Sequence, residues 1–308
     1  MKYATNTQQS RMQGASIMLV ATFLTACSGS GGDSSDNLVT RDISIPFVAE
    51  ASNLTIDCDT RLTGLGTAPS DADLLDFRFY VHDMVLTDEA GTRYTTTFEQ
   101  NTWQRDDLAL VDLANKADSC SGDVKDTHSE VTGTVRVPAG TVLSGLEFTL
   151  GVPSALNHAD RATAEAPLDR AGMHWNWQNG YKFVRVDVAP VGGMSRPTDA
   201  GYSATAWNFH LGSTDCTGDP QLGETVVCGR SNRPVVSLEN FDPDLDAVLF
   251  DYEQLIGAND LSVDEAAAPG CMSGATDPEC AAIFTALGMD VSTGAVDNTI
   301  TQTVFRVQ

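Results

Sequence analysis

The chain has 308 residues and carries 42 acidic side chains against 18 basic ones, which gives a formal net charge of −24. Nucleic acid is excluded as a partner, because phosphate binding requires clustered Lys and Arg. The length that follows a leader segment suits one large all-β domain with insertions.

The amino terminus reads as a bacterial lipoprotein signal. A short charged start precedes an apolar run at residues 17–24, and Leu-Thr-Ala then leads into Cys27. The run is too short to span a bilayer, which is typical of a removed signal peptide. We therefore expect a signal at residues 1–26 and a lipidated Cys27, with a plain signal peptide without lipid as the alternative.

Residues 27–40 are rich in Ser and Gly and are predicted to form a flexible tether. Ser28 after the lipidated cysteine favours delivery to the outer membrane of a Gram-negative cell. The expected location is the periplasm or the cell surface, with the lipid anchor as the only contact with the membrane.

Residues 41–308 are predicted to form a single β-rich domain. Runs of β-branched and aromatic residues alternate with Gly, Pro, Asn and Asp clusters, as expected for hairpins and meanders. The runs lie at 43–49, 76–86, 131–137, 146–152, 181–188, 205–211, 235–238 and 299–307. Helices are expected only at 160–166 and at 278–287, after Asp277. The predicted fold class is all-β, a β-sandwich or open barrel with long disulfide-clipped loops and a few short helices.

Apart from Cys27, the chain has an even number of cysteines, which in an oxidising compartment indicates three disulfides. The six are Cys58, Cys120, Cys216, Cys228, Cys271 and Cys280. The short spacings suggest that Cys216 pairs with Cys228 and Cys271 with Cys280, which leaves Cys58 for Cys120. Fifteen connectivities are formally possible. A cysteine metal cluster is the alternative, although the spacings fit zinc sites poorly.

Three of the five histidines are candidate metal ligands. In an oxidising compartment, imidazoles and thioethers are the natural ligands of copper. His158 and His210 each lie at the end of a predicted strand, and His82 shares a predicted strand face with Met84. The alternative is that each imidazole only forms hydrogen bonds with the backbone and that Met84 fills the core.

Residues 173–182 hold two of the four tryptophans, Trp175 and Trp177, beside His174. Packed aromatic residues in a sandwich core would explain them. The alternative is a redox-active tryptophan next to a metal. Motifs of nucleophilic, phosphate-binding, dinucleotide-binding, zinc-protease and haem-attachment sites are missing from the sequence, so we expect no enzyme activity.

Several stretches taken in order resemble the MbnP-like family, also called the metallo-mystery pair four-Cys motif proteins. They are Asp-Phe-Arg-Phe-Tyr-Val at 76–81, Trp-Gln at 103–104, Leu-Ala-Leu-Val-Asp at 108–112, Gly-Leu-Glu-Phe-Thr-Leu-Gly-Val-Pro at 145–153, Leu-Asn-His at 156–158, Trp-Asn-Trp-Gln-Asn-Gly-Tyr-Lys-Phe at 175–183, His-Leu-Gly-Ser-Thr at 210–214, Asn-Arg-Pro at 232–234 and Phe-Asp-Pro at 241–243. The resemblance runs from about residue 47 to 307.

This resemblance implies an extracytoplasmic copper-binding protein that is paired with a dihaem cytochrome c peroxidase-like protein. In such pairs the partner can oxidise a tryptophan of the copper protein to kynurenine close to the metal. The positions that match family motifs are His158 and His210 as ligands and Trp175 and Trp177 as oxidation sites, with Trp103 behind them.

The function expected from the sequence is copper acquisition, storage or delivery by a lipid-anchored protein that is itself a substrate of a haem oxidase. Two alternatives stay open at this stage. One is a surface interaction or adhesion lipoprotein with no metal, in which the aromatic residues only pack or bind a ligand. The other is a metal-dependent oxidase.

Overall fold

The structure is a computed structural model that describes residues 37–115, 120, 126–176 and 178–308. The predicted signal peptide, the lipidated Cys27 and residues 28–36 of the predicted tether therefore lie outside the described residues, and so does Trp177. Residues 38–40, which were predicted to belong to the tether, instead begin the first strand. Residues Asn37–Gln308 form one unit.

The first half of this unit contains nine strands that connect through turns and loops. They are β1 Leu38–Ala51, β2 Leu54–Thr55, β3 Leu62–Leu65, β4 Ser70–Asp88, β5 Arg93–Phe98, β6 Gln104–Arg105, β7 Leu108–Asp112, β8 Glu130–Pro138 and β9 Leu143–Leu150.

The second half contains shorter strands and two α-helices. The strands are β10 His174–Asn176, β11 Gly180–Tyr181, β12 Val184–Pro190, β13 Met194–Arg196, β14 Asp199–Ala204, β15 Trp207–Leu211, β16 Thr214–Thr217, β17 Val227–Arg230, β18 Val235–Glu239, β19 Val248–Asp251, β20 Gly270–Cys271 and β21 Phe305–Val307. The helices are α1 Tyr252–Ile256 and α2 Pro278–Ala286.

Most strands belong to one large curled sheet in which β4 is the central element. The sheet runs in the order β20, β15, β12, β4, β5, β8, β1, β19 and β21, and β4 also pairs with β3, β7 and β9. Each of the eight predicted runs contains a strand. The predicted all-β fold class is confirmed. Of the two predicted architectures, the structure matches the open barrel, since the sheet curls into a half-barrel.

Both faces of β4 are buried, one of them with aromatic residues and the other with charged residues. One face adds Phe77 and Phe79 to an aromatic core, where Phe77 meets Phe250 edge-to-face with ring centroids 4.9 Å apart. Full burial of each such ring contributes ~2 kcal/mol. The opposite face carries Asp76 and Arg78, both less than 2% exposed. The long predicted strand is therefore covered on both sides, and its polar side holds charges.

Three disulfides join the pairs that the spacing suggested. Cys58–Cys120 closes a span of 62 residues, whereas Cys216–Cys228 and Cys271–Cys280 close spans of 12 and 9. The cysteine metal cluster is thereby excluded, because every described thiol is consumed in a disulfide.

The helix predictions had mixed outcomes. As predicted, a helix follows Asp277 directly, since α2 begins at Pro278. The Asp277 side chain accepts a hydrogen bond from Glu279 N and so caps this helix. The helix predicted at 160–166 is wrong, because that segment forms only turns. Within the described residues, no helix has the length and apolar character that crossing a membrane would need.

Candidate metal site

The β10–β11 hairpin places His174 and Trp175 close to the loop that carries His158. Gly180 begins β11 with φ +76°, and an added Cβ would come within 2.4 Å of Asn157 O. Only glycine fits this close approach. Asn157 then accepts a hydrogen bond from Tyr181 N at 3.1 Å, which ties the hairpin to the loop before His158.

His210 is a buried imidazole that a carboxylate holds in place. Its Nε2 lies 2.7 Å from Asp187 Oδ1, and its Nδ1 is buried without a hydrogen-bond partner. Because a carboxylate only accepts hydrogen bonds, Nε2 carries the proton and the Nδ1 lone pair remains free. Burial lowers the pKa of His210, with Asp187 opposing the shift, so the ring is neutral at pH 7. Neutral imidazole is the form that binds metals.

Asp187 belongs to a row of alternating charges along one face of the sheet. Arg185 Nε donates to Asp187 Oδ2 at 2.7 Å, and Arg185 Nη1 lies 3.1 Å from Asp76 Oδ2. Asp76 in turn accepts from Arg78 Nε at 2.7 Å. Burial alone would raise the pKa of Asp187, but the His210 hydrogen bond and Arg185 lower it overall. The row thus keeps Asp187 ionised and fixes the orientation of His210.

Trp175 packs beside His210. The two ring centroids are 6.4 Å apart at an interplanar angle of 54°, and the indole is half-buried. Gly212 makes this possible, since an added Cβ would lie 2.5 Å from the Trp175 ring. A half-buried indole therefore lies beside an imidazole with a free nitrogen.

His174 contributes a second buried ring nitrogen near Trp175. Its ring meets Tyr181 edge-to-face at 4.8 Å, and its Nε2 has no hydrogen-bond partner. Burial lowers the pKa of His174, and the charges of Arg161 and His158 add to the effect. His174 is thus a neutral imidazole on the same hairpin as Trp175.

His158 lies against the Cys216–Cys228 disulfide. Its Nε2 is 3.4 Å from Cys228 Sγ and 3.2 Å from Asn157 Nδ2. His158, Cys216 and Cys228 are one of two groups of three candidate ligands within the described residues, but neither group contains His210. The two sulfurs are bonded to each other and offer no thiolate. Shared coordination by His158 and His210 stays a prediction.

His82 lies too far along the sheet to join His210. In the strand register, His210 on β15 lies opposite Arg185 on β12, and Arg185 lies opposite Arg78 on β4. His82 is four residues beyond Arg78 along β4, so it is two strands away from His210 and displaced along the sheet. Standard spacings make this about 13 Å along and about 10 Å across. The second group of three candidate ligands contains His82 with Asp83 and Asp107. The structure therefore gives His82 carboxylate neighbours of its own.

A family model for MbnP matches residues 40–273. The solved structure of MbnP from Methylosinus trichosporium is 32% identical and superposes with a TM-score of 0.79, over 87% of this chain and 98% of that one. The chain belongs to the MbnP family. Comparison with curated proteins finds no match.

Membership of the MbnP family agrees with the expectation that the chain is not an enzyme, since the family is a non-catalytic accessory one. The matched range contains His158, Trp175 and His210, and it ends before α2.

Two other tryptophans of this MbnP-family chain have surroundings different from those of Trp175. Trp103 stacks on His128 at 5.3 Å with an interplanar angle of 4°, and the Arg170 guanidinium lies over it. Trp207 is fully buried in the core. Trp175 is therefore the described tryptophan whose ring contacts a candidate ligand.

Sequence reasoning missed the residues that support the site. Asp187 lies 23 residues before His210 and meets it only through the pairing of β12 with β15. Gly172 and Gly212 are required by close approaches to Arg78 and Trp175. The one available signal was the charge alternation Arg185-Val186-Asp187 inside a strand, which predicts paired charges on one face.

Proposed function

We propose that this protein is an extracytoplasmic, lipid-anchored copper-binding protein that acquires, stores or delivers copper. Its support is the free Nδ1 of His210, held by Asp187 in a neutral, buried ring. A carboxylate that accepts from the second ring nitrogen is the usual way in which proteins orient a metal-binding imidazole. Copper is the cargo in this account, and imidazole nitrogens suit it in either oxidation state.

His158 is the second proposed ligand. It follows Asn157, which the hairpin holds through Tyr181, and its charge acts on His174 beside Trp175. Copper binding at His158 would require its Nε2 to turn away from Cys228 and Asn157, which it contacts at 3.4 and 3.2 Å. His174 Nε2 is an additional unpartnered nitrogen of the same neighbourhood.

Trp175 is the proposed site of oxidation to kynurenine by a dihaem cytochrome c peroxidase-like partner. Two molecules of peroxide, activated at the haem of the partner, each supply one oxygen atom and leave one water as the C2–C3 bond of the indole is cleaved, and hydrolysis of the resulting formyl group then releases formate. The product gains one oxygen and loses one carbon, and its exposed aromatic amine is a further nitrogen ligand for copper. The half-buried position of Trp175 beside His210 supports this choice.

The location follows from the amino-terminal sequence. Cleavage before Cys27 and lipidation would hold the domain at the outer membrane, through the tether that ends near β1. Three disulfides agree with an oxidising compartment.

The metal assignment is tested by copper analysis of the purified full-length protein. We expect about one copper per chain, lost when His158 and His210 are both replaced by Ala. His128→Ala is the matched control, because His128 is half-buried on Trp103 and outside the site. Unchanged copper content in the double variant would falsify the ligand assignment.

The oxidation assignment has a separate test. Co-expression with the dihaem partner should add about 4 Da to the peptide that contains Trp175, as loss of carbon and gain of oxygen require. Trp175→Phe should abolish the change, whereas Trp103→Phe should keep it. An unmodified Trp175 in the presence of an active partner contradicts the assignment.

A further inference from the structure

His82, Asp83 and Asp107 are brought together by two separate local features of the sheet. The pairing of β4 with β9 shifts register between His82 and Val85, and Asp83 adopts φ +52° at this irregularity. Successive residues of a regular strand point to opposite faces. The distorted backbone instead lets the Asp83 carboxylate turn back, so that its Oδ2 lies 2.9 Å from His82 Nδ1.

Asp107 arrives from the hairpin turn between β6 and β7. β7 pairs with β4 so that Leu108 lies opposite His82. The turn contains only Asp106 and Asp107, and Asp106 takes φ +54°. This brings the Asp107 carboxylate close to His82, and the three ligand atoms of His82, Asp83 and Asp107 lie within 4.8 Å of one another.

The imidazole in this group lacks the hydrogen bonds that a buried ring normally has. The His82 side chain is 6% exposed, and neither ring nitrogen has a hydrogen-bond partner. The close contact with Asp83 does not have hydrogen-bond alignment, and Nε2 has no partner at all. Leaving a buried polar atom unpaired is costly, so a bound ligand at this position would stabilise the ring.

Two carboxylates lie beside the ring, and the positive charge of Arg233 acts on it in the opposite sense. Asp83 and Asp107 are both exposed, and neither forms an ion pair with Arg or Lys among the described residues. Two carboxylates that converge on one imidazole repel each other, and a divalent cation between them removes the repulsion.

We propose that His82, Asp83 and Asp107 form a second metal site, separate from the copper site, that binds a borderline divalent cation of the Zn²⁺ type. One imidazole nitrogen and two carboxylate oxygens suit Zn²⁺ and leave a fourth position for water. Cu⁺ prefers softer donors, and Ca²⁺ or Mg²⁺ prefer oxygen alone. Zn²⁺ ligands lie about 3.3 Å apart in tetrahedral geometry, and rotation of the two exposed carboxylates closes the remaining gap.

The test is a Zn²⁺ titration of the full chain by calorimetry, in the His158→Ala/His210→Ala background so that the copper ligands do not compete. We expect one saturable Zn²⁺ site and a rise in Tm when it fills. Asp107→Asn should weaken Zn²⁺ binding by at least about tenfold, and His82→Gln should do the same.

Asp106→Asn is the matched control, because it removes the same charge from the same turn but lies outside the group. It should bind Zn²⁺ as tightly as the background protein. Equal binding by Asp107→Asn and Asp106→Asn would overturn the proposal, and so would the lack of a saturable Zn²⁺ site in the background protein. Asp107 is exposed in a turn, so its variant folds even where His82→Gln does not.

Discussion

Replacing Asp187 by Asn tests how the sheet prepares His210 for a metal. Asp187 is 3% exposed and uses one oxygen for His210 Nε2 and the other for Arg185 Nε. Asn has a single acceptor oxygen, so one of these two donors must face the amide NH₂ group. If Arg185 keeps the oxygen, the amide donates to Nε2, and the ring proton moves to Nδ1, where it blocks the lone pair.

The expected magnitudes follow from these contacts. An unsatisfied buried donor should lower the free energy of unfolding by about 1–3 kcal/mol. Loss of a carboxylate that orients a ligand should weaken copper binding by about 10- to 100-fold. Arg185 keeps its contact with Asp76 at 3.1 Å, which limits the structural damage.

The assay combines urea unfolding of the metal-free protein with chelator competition for copper. Asp42→Asn is the matched control, since Asp42 is exposed on β1 and far from the site in the sheet order. If Asp187→Asn loses stability but binds copper as tightly as the control, Asp187 only stabilises the fold, and the reasoning about His210 is refuted.

Three further predictions concern stability. Replacing Cys58 and Cys120 by Ala should cost about 4 kcal/mol and replacing Cys271 and Cys280 about 2.5 kcal/mol in urea unfolding, because the first disulfide closes a span of 62 residues and the second a span of 9. Burial and Glu279 raise the pKa of Asp277 to about 8. The stability that the protonated carboxyl group contributes is therefore fully present below pH ~4 and is lost as the pH rises to about 8. Asp277→Asn keeps the helix cap and should make the variant about 2 kcal/mol more stable than the parent at pH 8, after allowance for solvent screening. Burial lowers the pKa of four histidines below 6.5, so stability present above pH ~6.5 should be lost as the pH falls to 5. The loss should reach about 1.4 kcal/mol per pH unit for a fully buried ring, and should be smaller for the half-buried His128 and His174 because solvent screens them.

Each of these has an outcome that contradicts it. Equal losses for the two disulfide variants would show that loop closure is not what stabilises the fold. The free energy of unfolding should depend on pH differently in the parent protein and in Asp277→Asn between pH 5 and 8. If the two proteins show the same pH dependence, Asp277 does not titrate in this range and is ionised throughout. Thermal unfolding that is unchanged from pH 7 to pH 5 would contradict the buried, neutral histidines.

The strands and the two short-range disulfides could be predicted because their signals are local, and the pairing of Cys58 with Cys120 followed by elimination. The β-rich run at 76–86 lies within β4, although its alternation breaks at Asp83, and Asp277 followed by Pro278 begins α2 as a capping residue should. The segment 160–166 misled because its Ala-rich composition favours helix. Pro167 disfavours helical conformation at Ala166, and only one turn forms, with Ala164 N donating to Asp160 O.

The site was only partly predictable because its support comes from pairing between distant strands. His210 and Trp175 were identified from their types and family motifs, but the register that brings Asp187 to His210 is not written in local sequence. The neighbours of His82 depend on a backbone irregularity at Asp83 and on the β6–β7 turn. Alternation alone paired His82 with Met84 and gave no sign of Asp107.

The central claim is that copper binds at His210 Nδ1, beside the ring of Trp175. Anomalous diffraction at the copper edge, from crystals of the copper-loaded protein, tests it most directly. The account predicts one strong peak within bonding distance of His210 Nδ1 and beside residue 175, with an imidazole of His158 as a second ligand. A copper peak remote from His210, or none at all in a fully loaded sample, contradicts it.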